Sequence, residues 1–155
     1  MTIVDGYDHL DQIKQLWRDY IIEIGIDLGF QDFEQEMASL PGKYARPHGR
    51  LLVAIIDQQV VGCIGLRQLF DQSGEIKRLY IKPSYRNQKI AKQLVSAIIE
   101  HAKSMNMDTL FLDTLINMHQ ARQLYQGFGF KECESYYDSP LTNAVYYRLT
   151  LNKKP

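Results

Sequence analysis

The sequence predicts a mixed α/β domain on one central sheet, with helices on both faces. Three observations predict it. Two amphipathic, helix-patterned stretches open the chain. Three short apolar, β-rich runs separated by turn residues follow. From there strand and helix patterns alternate to the end, an order that places helices on a mostly paired sheet.

Residues 2–4 read as a short first strand. From Asp8 the apolar residues Leu10, Ile13, Leu16, Trp17, Tyr20, Ile21 and Ile24 recur at intervals of three and four, the period of one helix face. Gly25 marks the end of that helix. A second, shorter helix is expected over 32–40, with Phe33, Met37 and Leu40 on one side and Pro41-Gly42 stopping it. The loop 43–50, with Pro47 and Gly49, is expected to be mobile. The runs 51–56 and 60–66 flank Asp57-Gln58-Gln59 and read as a hairpin. A third run, 76–81, follows the polar turn Asp71-Gln72-Ser73-Gly74. A long helix is expected from Ser84 or Tyr85 to Met105, with Ile90, Leu94, Ala97, Ile98 and Ala102 inward. A strand at 109–114, a helix at 119–126, a strand at 130–134 and a last strand at 144–151 complete the order. No repeat, low-complexity segment or linker divides the chain, so residues 1–155 are expected to form a single domain.

Composition narrows the function. Lysine plus arginine and aspartate plus glutamate both number 18, and this zero net charge argues against bulk attraction to nucleic acid or anionic lipid. Cys63 and Cys133 lie in apolar, strand-like surroundings and read as small buried residues, which fits a reducing cytoplasm. The N-terminus lacks the design of a secretion signal, and no apolar run approaches the roughly 18–20 residues of a membrane span. His9, His48, His101 and His119 are scattered without ligand spacing, so no metal is expected.

The most informative stretch is 75–93, EIKRLYIKPSYRNQKIAKQ. A short apolar strand runs into Lys82-Pro83 and then a basic turn that opens a helix. The first backbone N–H groups of a helix have no intrahelical partner, and its dipole favours negative charge there. Arg86, Lys89 and Lys92 add cations around the same point. This is a site suited to pyrophosphate; the plainer alternative is a surface helix with a basic first turn.

Three segments resemble the GCN5-related N-acetyltransferase superfamily, and the likeness covers nearly the whole chain. Arg86-Asn87-Gln88-Lys89-Ile90-Ala91 stands where that family has Arg/Gln-x-x-Gly-x-Gly/Ala. Residues 121–130, ARQLYQGFGF, are similar to its Ala-x-x-Leu-Tyr-x-x-x-Gly-Phe element. Residues 136–140, YYDSP, are similar to many bacterial members of undefined acceptor. The resemblance implies a sheet of about six to seven strands in which two central parallel strands splay to hold the cofactor arm. It implies acetyl-CoA as co-substrate and direct attack by a primary amine, on a small molecule or a peptide, in a ternary complex. On this likeness Leu79, Tyr80 and Ile81 lend main-chain groups to the pantetheine arm. Asn87, Gln88, Lys89, Ile90, Ala91 and Lys92 hold the pyrophosphate with Arg86. Homodimers are frequent among similar proteins.

Two positions depart from the pattern. Lys89 replaces the usual glycine; its β-carbon crowds the diphosphate while its ammonium can contact phosphate. Met118 stands where many members have an asparagine for the pantetheine arm, and the neighbouring Asn117 is the candidate substitute.

Attack on a thioester needs a neutral amine and a proton for the leaving thiolate. Tyr125, at the family tyrosine, is the candidate donor; otherwise it is a core tyrosine. Glu75, at the position where histone-modifying members carry a base, is the candidate proton acceptor; otherwise it is a solvated carboxylate at a strand entrance. The backbone N–H of Leu79 or Tyr80 is the candidate oxyanion donor. Lys77 and Arg78 either face an acidic acceptor or keep an exposed strand soluble. Phe30, Phe33, Tyr44, Tyr136, Tyr137 and Asp138 are candidate walls for a cationic amine, or a cap on the sheet. Arg46, Arg50 and Arg67 would instead suit an acceptor bearing a carboxylate. The competing function is a non-catalytic module that senses acyl-CoA. Nucleic-acid binding through residues 77–92 is the weaker third reading.

Overall fold

The computed structural model describes residues 1–25 and 32–151. The elements run β1 (Thr2–Asp5), α1 (Leu10–Ile24), α2 (Phe33–Ala38), β2 (Arg50–Ile56), β3 (Gln59–Gln68), β4 (Ser73–Ile81), α3 (Ile90–Ser104), β5 (Thr109–Leu115), α4 (His119–Gly127), β6 (Lys131–Cys133) and β7 (Ala144–Thr150). The strands form one seven-stranded sheet in the order β1-β2-β3-β4-β5-β7-β6. β4 and β5 run parallel, while the other neighbouring pairs are antiparallel.

Apolar side chains on both faces of the sheet explain its unbroken hydrophobic runs. In β2, Leu51 and Val53 pack with Ile13, Leu16, Trp17, Phe33 and Met37 of α1 and α2. Leu52 and Ala54 point the other way, into a core with Leu94, Ile98 and Ala102 of α3 and Leu110 of β5. Fully burying each such Leu or Ile contributes about 1.5–3 kcal/mol, so the inward face of α3 outweighs weak local propensity. Gly25 ends α1 in the left-handed conformation, φ 65°, with its N–H on the Ile21 carbonyl. The β2–β3 turn puts both Asp57 and Gln58 at positive φ, 49° and 66°, matching the twist of a tight hairpin.

Three expectations need correction. Ser73 and Gly74 belong to β4 rather than to the turn, and Gly74 packs where a β-carbon would lie 2.5 Å from Met107 Sδ. The helix expected from Ser84 or Tyr85 begins at Ile90 instead. Pro83–Tyr85 forms a 3-10 turn, and Asn87 and Lys89 take positive φ values that a helix cannot contain. The loop 43–50 is tied down: Tyr44 is fully buried, and Gly49 nestles where a β-carbon would meet Lys43 O at 2.5 Å. Among the described residues, no helix is long and apolar enough to cross a membrane.

Candidate active site

The parallel pairing of β4 and β5 is short. Ser73, Gly74 and Glu75 face Thr109, Leu110 and Phe111, and there the pairing stops, although β4 continues to Ile81 and β5 to Leu115. A bulge marks the parting. Cys63 opposes Tyr80 while Gly65 opposes Lys77, so Ile64 spans two residues of β4, with Arg78 at φ 60°. Bulges bend a strand and re-aim its side chains. The diverging strands leave backbone donors and acceptors along one edge of β4 open to an amide-bearing chain.

A cleft of about 630 Å³ occupies this parting. Of the residues expected to hold the cofactor, Leu79, Tyr80, Ile81, Arg86, Asn87, Lys89, Ile90, Ala91, Lys92 and Asn117 line it; Gln88 does not. Met118 lines it too, beside Asn117. The N-terminus of α3 opens into the cleft without a side-chain cap: Lys89 holds the N-cap position, its ammonium offers no acceptor atom, and its backbone turns left-handed, φ 63°, ψ 19°. Its first N–H groups are therefore available, and a left-handed residue leading into a helical one makes a concavity for anions. An extended arm ending in a diphosphate, as in acetyl-CoA, fits this combination of open strand edge, uncapped helix and cations.

Arg86 is already engaged. Its Nε donates to the Ile81 carbonyl at 3.0 Å, and its Nη2 meets Glu23 Oε1 at 2.9 Å. The guanidinium also stacks 5.3 Å from the Tyr80 ring, whose hydroxyl donates to the same Glu23 oxygen.

A smaller cavity of about 100 Å³ shares Tyr20, Leu79, Met118 and Ala121 with the cleft. Tyr125 lines it, 6% exposed and edge-on to Phe130 at 5.8 Å. Burial raises the Tyr125 pKa well above the usual phenol value, with Tyr20 and Asp113 adding to the rise. The hydroxyl therefore keeps its proton at neutral pH, the state an acid needs.

Glu75 is not solvated: it is 1% exposed and does not line either space. Its Oε1 accepts from Arg67 Nε at 2.8 Å and its Oε2 from the Tyr136 hydroxyl at 2.6 Å. Lys77 and Arg78 are equally buried, contrary to the exposed-strand expectation. Lys77 Nζ stands 3.9 Å from Glu75 Oε2, and burial lowers its pKa while Glu75 opposes the shift. Arg78 pairs with Glu36 at 3.3 Å, its guanidinium 5.6 Å from the Trp17 ring and 5.2 Å from the Phe33 ring.

The expected aromatic walls divide. Phe33 and Tyr44 belong to the core, and Phe30 lies outside the described residues. Tyr136 and Tyr137 pack with Tyr146; the Tyr136 hydroxyl donates to Glu75 behind the cavity, and the Tyr137 hydroxyl donates to Asp113, which lines it. Leu141 of the same loop, rather than Asp138, lines the cavity. Arg46 pairs with Asp5, and Arg50 bonds His101 and the Gly49 carbonyl, so neither joins Arg67 near the site. Sequence reasoning missed Tyr20, Glu23 and Asp113. The single charged residue of β5, Asp113 among Leu, Phe and Thr, was the available signal. Among the described residues, no cluster of His, Cys, Asp or Glu is arranged to hold a metal ion.

Comparison with known proteins agrees with this geometry. Residues 10–130 match the model of the acetyltransferase (GNAT) family. An uncharacterised N-acetyltransferase of Schizosaccharomyces pombe is 40% identical over 147 residues, covering 93% of this chain and 90% of that protein. Another, from Dictyostelium discoideum, is 31% identical over 208 residues, covering 95% and 96%. In fold, a GNAT acetyltransferase of Staphylococcus aureus superposes with a TM-score of 0.82 at 24% identity, covering 97% and 99% of the two chains. A streptothricin acetyltransferase homologue from Bacillus anthracis, solved with acetyl coenzyme A, gives 0.62 at 21% identity over 74% and 70%. With the splayed strands and uncapped helix already in place, the family match across most of the sequence leads to one conclusion: this chain belongs to the GNAT acetyltransferase family.

Proposed function

We propose that acetyl-CoA lies with its diphosphate on the N-terminus of α3 and its arm between β4 and β5. A primary amine then attacks the thioester from the smaller cavity, within a ternary complex. The enzyme is an acetyl-CoA-dependent N-acetyltransferase, and its residues have the following parts in this reading. The uncapped amides of 87–92, with Lys89 and Lys92, bind and neutralise the phosphates. The free edge of β4 orients the arm, and a main-chain N–H of Leu79 or Tyr80 stabilises the oxyanion. The acceptor ammonium first loses a proton towards solvent. As the C–N bond forms and the C–S bond breaks, Tyr125 gives its proton to sulfur. The proton left on the new amide nitrogen returns to the phenolate through water.

Glu75 supports the site from behind. With both oxygens already accepting hydrogen bonds, it orients Lys77, Arg67 and Tyr136 rather than touching the amine. Two unpaired cysteines, one fully buried, favour a reducing cytoplasm.

One observation carries the proposal: Tyr125 lines the cavity that adjoins the cleft made by the splayed strands. The test is thiol release from acetyl-CoA with a panel of amines. Tyr125→Phe is expected to lower kcat by about 10²–10⁴-fold, the usual worth of a general acid, with the KM for acetyl-CoA within about twofold. Unchanged kcat in the folded variant would remove the donor role. Binding of acetyl-CoA with no turnover of any amine would favour a sensor instead.

A further inference from the structure

Two opposite charges face the smaller cavity without meeting. Lys77 lines it from β4 and Asp113 from β5, and no ion pair joins them. Lysine is almost never this buried unless it is paired. Here the nearest carboxylate oxygen, Glu75 Oε2, is 3.9 Å from Nζ, beyond hydrogen-bond reach. That oxygen is already held by Tyr136 at 2.6 Å, and Arg67 lies 2.8 Å from the other. Arg67 therefore balances Glu75, and the Lys77 charge is left over. Asp113 has one oxygen turned to the Tyr137 hydroxyl, which fixes the carboxylate and leaves its remaining lone pairs for another donor.

We propose that this cavity selects amines that also carry an anionic group, Lys77 receiving the anion and Asp113 the ammonium; amino acids are the acceptor class. The inference rests on the acetyltransferase reading above. Such a molecule gives the buried Lys77 a hydrogen-bonded anion and the half-buried Asp113 a second donor beside Tyr137, and adds no net charge to the site. A polycation would place a second positive group beside Lys77, in surroundings where like charges repel strongly. The residues shared with the cleft, Leu79, Met118 and Ala121, put the seated amine next to where the thioester lies.

The test compares wild-type kcat/KM for amino acids with their matching carboxamides, which differ in the anion alone. Loss of a hydrogen bond to a charged group predicts a preference for the acids of about tenfold or more. The amine of a carboxamide is less basic and more often neutral, a bias that works against this result. Lys77→Met is expected to reduce the acid-to-amide ratio by about tenfold, and Lys77→Arg to keep the acid preferred. Equal or better use of the amides by the wild type, or an unchanged ratio in Lys77→Met, would overturn the proposal while leaving an acetyltransferase. Acetylation of other amines but of neither acids nor amides would likewise overturn the proposal alone; if acetyl-CoA binds and no amine of any kind is acetylated, the acetyltransferase reading fails and takes this one with it.

Discussion

The hydroxyl of Tyr136 donates to Glu75 Oε2 across 2.6 Å, tying the loop before β7 to the strand that enters the site. Because Arg67 and Lys77 gather around the same carboxylate, Glu75 holds together two buried or half-buried cations. Glu75→Gln takes the balancing carboxylate from Arg67 and leaves Lys77 further from any counter-charge. Breaking a buried ion pair from one side costs about 3–5 kcal/mol, so the urea midpoint is expected to fall sharply. The double variant Glu75→Gln/Lys77→Met should recover part of that loss, since it removes one stranded cation. An unchanged midpoint with a collapsed kcat would instead return Glu75 to the role of base.

Lys89 supplies a second expectation. It adopts φ 63° at the entrance to α3, a conformation that costs a non-glycine residue roughly 1–2 kcal/mol. Lys89→Gly removes that strain but adds freedom to the unfolded chain, for a net gain of about 0.5–1 kcal/mol. Lys89→Ala keeps the β-carbon and should gain nothing. Thermal melts of the two variants separate backbone strain from the loss of charge. Both should bind acetyl-CoA more weakly as salt rises, with a shallower slope than the wild type, because one phosphate contact is gone.

The bond between Arg86 and Glu23 leads to a third. The guanidinium expected to meet the diphosphate is held at 2.9 Å by a carboxylate from the end of α1. Anion binding must compete with that pair. Glu23→Gln is therefore expected to tighten the Kd for acetyl-CoA severalfold in calorimetry at low salt, and less so at high salt, because the pair is half exposed. Weaker binding would show that Glu23 serves the cofactor rather than opposing it.

Much of this fold was legible in the sequence because its signals are local. The apolar spacing of α1 from Ile13 to Ile24, the Asp57-Gln58 turn and the alternation after Ile81 each depend on a few neighbouring residues. The cleft proposed for the cofactor was legible for the same reason: strand, basic turn and helix N-terminus are contiguous. What escaped was long-range. Lys77 and Arg78 looked like exposed cations because what encloses them is distant in sequence: Tyr136 holds Glu75, the carboxylate beside Lys77, and Glu36 of α2 meets Arg78. Ser73 and Gly74 looked like turn residues because nothing nearby reveals that Met107 and Leu66 close over them. The start of α3 was misplaced because two ordinary residues, Asn87 and Lys89, take backbone conformations normally left to glycine.

Coenzyme A thioesters are expected to lie along the open edge of β4 and the first turn of α3, and every role proposed for the site follows from that placement. Hydrogen exchange, followed with and without saturating acetyl-CoA, reads both segments at once. Amides in 77–81 and 87–92 are expected to slow markedly, with β1 and β6 unaffected. If acetyl-CoA saturated the protein and those two segments exchanged as fast as before, the cofactor would lie elsewhere and the assignment of the site would be wrong.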